Sequence, residues 1–358
     1  MNGDQRDRLT VSLAAEPLDA SLRQWVADRG VAVVAAACRG ENGLDVPEEW
    51  ADRCRPGVVD SLVERAETGE FRWVVPGDAE WPVALDDLAG LDAAPWGLWV
   101  RGPRPLVCGR SVAVVGARSC TTYGAEMAGD IGADLADRDW TVVSGAAFGI
   151  DACAHRGALA VGGGTVAVLA CGVDVVYPRA HAALLDRIGA HGWIVSEHAP
   201  GATPQKHRFL TRNRLIAALS AGTVVVEAAT RSGSLNTLHW ADRLGRLSMA
   251  VPGPVQSQQS QGVHRAIREG EAVLVTSAAE VAEELDGVGW AAREADREVG
   301  EQARRALDLL RAEPGRSVVA VAGTLGVPVA EARAQLCLLE RRGLARPGAD
   351  GWEACGEV

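Results

Sequence analysis

Val112-Ala113-Val114-Val115-Gly116-Ala117-Arg118-Ser119-Cys120-Thr121-Thr122-Tyr123-Gly124 is the stretch that decides the fold. An apolar, mostly β-branched run passes into a small polar turn, and hydroxyl residues able to cap a helix follow at once. A strand with one wet face alternates apolar and polar residues, whereas an uninterrupted apolar strand belongs to a sheet covered on both faces. Runs of the same kind recur at Thr141–Val143, Thr165–Leu169, Trp193–Val195, Thr223–Val226, Leu247–Val251 and Ala272–Val275. Between most of them lies enough chain for a crossover helix. The pattern predicts an α/β domain built on a doubly wound, mostly parallel sheet.

Upstream, residues 1–103 hold Trp25, Trp50, Trp73, Trp81, Trp96 and Trp99, few strand-like runs, and helix-compatible stretches such as Asp19–Asp28 and Val58–Glu67. They read as an N-terminal helical domain of SAM/helix-hairpin-helix-like type with a connector. The boundary falls at Arg101-Gly102-Pro103-Arg104-Pro105, where Pro and Gly disfavour both helix and central strand. Residues 104–285 form the sheet domain, 286–300 a charged, Gly-containing linker, and 301–358 a third unit. In that unit Ala303–Arg311, Val318–Leu325 and Pro328–Arg342 read as helices and Gly343–Trp352 as a hairpin, the outline of a winged helix. The third helix mixes Glu331 and Glu340 with Arg333, Arg341 and Arg342, which favours a protein-contact or structural role over phosphate binding.

In doubly wound sheets ligands bind beyond the carboxyl ends of the strands. The loop after Val115 offers Gly116, Arg118 and Ser119, with Ser119, Thr121 or Thr122 as the helix cap, and exposed N–H groups at such a helix start hold phosphate. The dinucleotide fingerprint G-x-G-x-x-G is broken because Arg118 occupies its second glycine, so a phosphodiester fits better than NAD. After the next strand, Ser144-Gly145-Ala146-Ala147-Phe148-Gly149-Ile150-Asp151 opens another helix, with Asp151 as candidate cap and His155 as a local hydrogen-bonding group. Glu227 and then Arg231-Ser232-Gly233-Ser234-Leu235-Asn236-Thr237 supply a third phosphate-compatible turn. These helix starts are expected to converge on one rim.

Pro204–Ser220 stands out in a chain of formal net charge −11. Lys206, Arg208, Arg212 and Arg214 fall within it without an Asp or Glu, and Phe209, one of 3 Phe in the chain, sits among them. Phosphates attract cations and unpaired bases stack on aromatic rings, so the mixture suits a single-stranded nucleic acid. A solvated helix face would show the same charges.

The ordered set V-V-G-A-R, S-G-A-A-F-G-I-D-A-C-A-H-R-G-A-L, Y-P, S-E, F-L-T-R-N-R-L-I-A-A-L-S, V-V-E-A with S-G-S-L-N-T, and V-P-G resembles the DNA-processing protein A (DprA, also called Smf) family across roughly Pro82 to Leu285. The resemblance implies an extended Rossmann-like sheet and a non-enzymatic protein. Such a protein binds and protects incoming single-stranded DNA, loads a RecA-type recombinase in natural transformation, and forms homodimers through the Rossmann-like domain. It carries Arg118, Lys206 and Phe209 over as DNA contacts, with Arg212, Asn213 and Arg214 as pocket formers. After V-P-G the chain departs from the family pattern, with His264 in place of the common Asn and Glu271 in place of Ala. Gln256–Gln261 is expected to be a mobile loop.

Other classes are disfavoured. The eight cysteines (8 in the sequence) stand singly without C-x-x-C spacing, so free thiols, no metal and no cofactor are expected. No apolar run approaches the ~20 residues that span a bilayer, and the first residues lack the layout of a secretory signal, which points to the cytoplasm. A nucleotide-hydrolysing enzyme of the lysine-decarboxylase-like Rossmann group would need P-G-G-x-G-T-x-x-E, which is absent. A regulator acting through the winged helix would bind double-stranded operators.

Overall fold

The computed structural model describes residues 1–68, 71–103, 105, 106, 108–287, 301–327, 329, 332, 335, 336, 339, 344–348 and 351–355. They fall into two compact units, Met1–Gly287 and Val288–Val358. The first is built on a nine-stranded sheet of order β1-β2-β6-β5-β4-β3-β7-β8-β9. Its strands are β1 (Phe71–Val74), β2 (Leu98–Arg101), β3 (Ser111–Val115), β4 (Thr141–Ser144), β5 (Thr165–Val168), β6 (Trp193–Ser196), β7 (Gly222–Val225), β8 (Leu247–Ala250) and β9 (Val273–Leu274). From β3 onward these are the anticipated apolar runs, and all pairings among them are parallel.

Two strands lie inside the stretch where the sequence shows few. β1 and β2 pair antiparallel, and β2 continues antiparallel onto β6. Their Trp and Arg residues interrupt a β-branched pattern, and what makes them strands is cross-strand contact: Trp73 faces Trp99, with ring centroids 5.2 Å apart. The sheet therefore begins at residue 71.

Helices cover both faces. Before the sheet come α1 (Gly3–Ala14), α2 (Ala20–Arg29), α3 (Val31–Cys38), α4 (Glu48–Arg53) and α5 (Pro56–Thr68). Then follow α6 (Thr122–Asp137), α7 (Ile150–Ala160), α8 (Ala182–His191), α9 (Lys206–Ala218), α10 (Ser234–Arg243), α11 (Gln261–Arg268) and α12 (Ala278–Gly287). Successive strand residues serve opposite cores. Val166 and Val168 of β5 pack with Leu215 and Ile216 of α9 and Leu238 of α10. Ala167 between them joins Ala152 of α7 and Ile188 of α8. That division is why these strands carry no polar face. The first four helices close a separate cluster around Val11, Leu22, Val34 and Trp50. They are tied to the sheet region by Arg23, whose guanidinium donates to the Ala94 carbonyl at 2.8 Å.

In the second unit α13 (Glu301–Ala312) and α14 (Val318–Leu325) precede a hairpin of β10 (Ala345–Pro347) and β11 (Trp352–Ala354). Ser317 caps α14 and Gly326 ends it in the left-handed region at φ 69°. Leu307, Leu310, Val321, Leu336 and Leu339 form its core. Most of the helix anticipated over Pro328–Arg342 and residues 288–300 of the linker lie outside the described residues.

Candidate nucleic-acid interface

The strand order reverses at β3, whose neighbours are β4 on one side and β7 on the other. Crossovers leave the two in opposite directions, which opens a crevice at their carboxyl ends. A cavity of about 780 Å³ occupies it. Gly116, Arg118, Ser119, Lys206, Phe209, Arg212, Asn213, Ser232, Gly233 and Ser234 all line this cavity, though the sequence separates the first from the last by more than a hundred residues. Ser144, Gly145 and Arg214 do not line it.

Two internal carboxylates explain which turns remain open to an anion. Asp151, buried under the crevice, accepts the N–H groups of Gly145 at 3.1 Å and Ala147 at 3.3 Å, and that of Gly116 as well. Burial pushes its carboxyl above the usual range, against the pull of Arg212 and these bonds. It is not the helix cap: α7 starts at Ile150 behind Gly149, whose φ of 78° suits glycine and where a Cβ would strike the Ala117 carbonyl oxygen. Glu227, fully buried, receives the Thr121 N–H at 2.8 Å and the Thr121 hydroxyl at 2.6 Å, while Thr121 itself caps α6. The start of α6 thus already holds an anion, one belonging to the protein. The Ser144 hydroxyl is spent on the Val114 carbonyl at 2.7 Å. The groups of the crevice left open to an anion are therefore side chains and the uncapped starts of α9 and α10, whereas the Gly116 and Ser144 turns are largely engaged within the protein.

The basic segment forms α9, and its cations divide by depth. Lys206 is exposed in the first turn, at a helix start that no side chain caps. Arg212 is buried beneath the crevice and donates to the Gly145 carbonyl at 3.0 Å and to the Val168 carbonyl. Burial lowers its guanidinium to about 10, opposed by Asp151. Arg214 is fully buried away from the crevice, where it forms a bidentate ion pair with Glu197, one arm at 2.7 Å, and donates to the Ala93 carbonyl at 2.8 Å. Arg208 is engaged by Glu16. Asn213 ties down the neighbouring loop by donating to the Gly233 carbonyl at 3.1 Å. The free positive charge of the crevice comes instead from Arg118, Lys206 and Arg231, all exposed. Arg231 was legible beside Ser232, but no periodicity marks a single loop cation.

Phe209 sits between Arg118 and Tyr177, and a small apolar pocket of about 30 Å³ opens beside it, lined also by Phe148 and Pro178. Tyr177 and Phe148 are 39% and 47% exposed, so ring surface is available to a stacking partner. The Gln-rich stretch is anchored. Gln258–Ser260 forms a 3-10 turn, the Ala228 N–H donates to the Gln259 carbonyl at 2.7 Å, and the Gln259 amide reaches the Ser119 hydroxyl at 3.3 Å. His264 Nε2 lies 3.0 Å from the Gly253 carbonyl and so pins the V-P-G turn.

Comparison with known proteins agrees with this architecture. A family model described as DNA recombination-mediator protein A matches residues 72–286, the span from β1 to α12. The chain belongs to the DNA-processing protein A family. A Mycobacterium tuberculosis relative that carries the DprA name is 42% identical over 354 residues, covering 94% of this chain and 90% of the relative. The X-ray structure of DNA processing protein A from Streptococcus pneumoniae superposes with a TM-score of 0.65 at 33% identity, covering 79% of this chain and 98% of that one. A structure of the Helicobacter pylori family member, which addresses the single-stranded DNA binding mode of that protein, gives a TM-score of 0.52 at 27% identity over 60% of this chain and 96% of that one. The family resemblance carried by the motifs is thereby shown. DNA-processing and recombination-mediator names run through these relatives.

Proposed function

We propose that this family member binds single-stranded DNA in the crevice between β3 and β7, protects it, and hands it to a RecA-type recombinase during transformation or general recombination. The observation that carries this is the meeting of Arg118, Lys206 and Phe209 in one cavity at the switch point of the sheet. Exposed cations neutralise phosphates and a ring stacks on any base, so the contacts that dominate binding do not depend on sequence. The working unit is a homodimer assembled through the sheet domain in the cytoplasm, and residues 301–358 act as a winged helix that contacts protein.

Gel shifts of single- and double-stranded oligonucleotides over a salt series test the proposal. Single strands bind tighter, and affinity falls with salt at about −0.7 in log-log slope per phosphate neutralised. Equal affinity for duplex, or binding indifferent to salt, would refute it. Incubation with nucleoside monophosphates releases no free base if the crevice binds and does not hydrolyse.

A further inference from the structure

A second cavity, of about 320 Å³, lies where the N-terminal helices meet the rim of the sheet. Arg53 at the end of α4, Glu16 just after α1, His198 beyond β6, and Gln205 and Arg208 at the start of α9 line it. Glu16 and Arg208 pair with one another and the Ser12 hydroxyl donates to the Leu9 carbonyl at 2.7 Å, whereas the Arg53, His198 and Gln205 side chains have no hydrogen-bond or ion-pair partner among the described residues. His198 is only 7% exposed; its backbone N–H is taken by the Ser196 hydroxyl at 3.0 Å, yet its ring makes no hydrogen bond. The ring nitrogens are not among the fully buried atoms that lack a partner, so they remain reachable from the cavity that His198 lines, where a ligand can meet them. Arg53 is exposed, and its guanidinium joins no ion pair or hydrogen bond among the described residues.

The charge balance favours an anion. The Glu16 carboxylate is engaged by Arg208, whose Nε and Nη2 donate at 2.9 and 2.5 Å, with His207 Nε2 at 3.3 Å. Burial would raise the Glu16 carboxyl, but Arg208 outweighs it and holds the group below its usual value, hence ionised. Glu16 and Arg208 cancel, and Arg53 is left over. Location supplies the rest. Pro204 and Lys206 line the main crevice, whereas Gln205 and Arg208, interleaved with them along the chain, line this cavity. The two spaces thus flank a single uncapped helix start.

We infer that this cavity is a second phosphate subsite, formed by Arg53, His198 and Gln205, which takes a phosphodiester of the strand after it crosses the start of α9. It presupposes the single-strand groove proposed above. The N-terminal helices then contribute directly to the DNA path and extend the footprint beyond the sheet domain.

The test uses the full chain with hydroxyl-ended oligothymidylates of about 4 and about 12 nucleotides, both within the range of about 4–16 nucleotides that a single-strand-binding fold covers. Arg53→Ala is expected to weaken the long oligomer about tenfold and reduce its salt slope by about 0.7, one phosphate contact, while the short oligomer binds within about twofold of wild type. His198→Leu weakens the long oligomer about threefold, and its thermal midpoint stays at or above wild type because the ring makes no hydrogen bond to the described residues that the substitution would remove. Wild-type binding of the long oligomer by both variants would overturn the subsite. So would a titration in which dTMP binds the wild type, Arg53→Ala abolishes that binding, and the long oligomer is unaffected; the cavity would then hold a free nucleotide. Lys206→Ala reports separately on the main groove, because it should weaken both oligomers. If it weakened neither, the groove would be misassigned whatever Arg53 shows.

Discussion

The Arg118 guanidinium lies over the Phe209 ring, 4.8 Å from its centroid, while Tyr177 closes on the same ring at 5.6 Å. The two DNA-contact candidates with the clearest separate roles, one for phosphate and one for bases, are thus in contact before any strand arrives. A base that stacks on Phe209 must move the guanidinium aside or stack together with it. Their contributions are therefore coupled. Phe209→Ala is expected to cost about 1–3 kcal/mol in single-strand affinity. The Arg118→Ala, Phe209→Ala double variant should differ from the sum of the singles by at least about 0.5 kcal/mol. Anisotropy titrations at one salt concentration measure the cycle, and strictly additive losses would show that the contact has no bearing on binding.

Lys206 has a different position. It is exposed in the first turn of α9, where no side chain caps the free N–H groups, so its charge and the helix start address the same anion. Lys206→Ala should lower affinity by a similar factor for oligo-dT, oligo-dA and mixed sequences, and reduce the salt slope by about 0.7. A loss confined to one base composition would mean that Lys206 reads bases.

Arg214 carries no such role. Its guanidinium bridges Glu197 and the Ala93 carbonyl in the interior, so it locks α9 onto the sheet. Removing one partner of a buried pair leaves the other charge stranded, at a cost of about 3–5 kcal/mol. Arg214→Ala is expected to lower the urea midpoint accordingly, while the fraction that remains folded binds single strands like wild type. Weakened binding with an unchanged midpoint would return Arg214 to the DNA site.

The contrast between Lys206 and Arg214 shows what the sequence can and cannot convey. The parallel strands from β3 to β9 were legible because burial on both faces leaves a continuous apolar run, a property local to each strand. β1 and β2 were not, because Trp73 and Trp99 become strand residues only by facing one another. The rim turns were legible as turn chemistry, but the contact between Arg118 and Phe209 was not, since it joins residues of two distant segments. Depth was not: Lys206, Arg208, Arg212 and Arg214 are alike as letters, and only the helical phase of α9 against a particular sheet makes one a surface charge and the others interior anchors. Nor could spacing reveal that Glu227 and Asp151 would fill the anion-ready positions of their own neighbours, since those contacts close over long loops.

Acid sensitivity should arise from His155. Its Nδ1 lies 2.7 Å from the Thr165 hydroxyl, which itself donates to the Val142 carbonyl at 2.8 Å, so Nδ1 carries the proton and donates. Nε2 is buried without a partner, and burial, with Arg212 nearby, holds the ring neutral down to about pH 3. In the unfolded chain the same imidazole takes up a proton near its ordinary value of about 6.5. Between these limits the unfolded state binds the extra proton, so stability falls as the pH drops, by about 1.4 kcal/mol per unit once well below 6.5. His155→Gln keeps a donor for Thr165 but cannot titrate. Urea midpoints of wild type and variant between about pH 7.5 and pH 5 should therefore converge on acidification, whatever the substitution costs at the upper end, because every other titrating group is common to both. Curves that stay parallel across that range would mean that His155 is charged, or already protonated alike, in the folded protein.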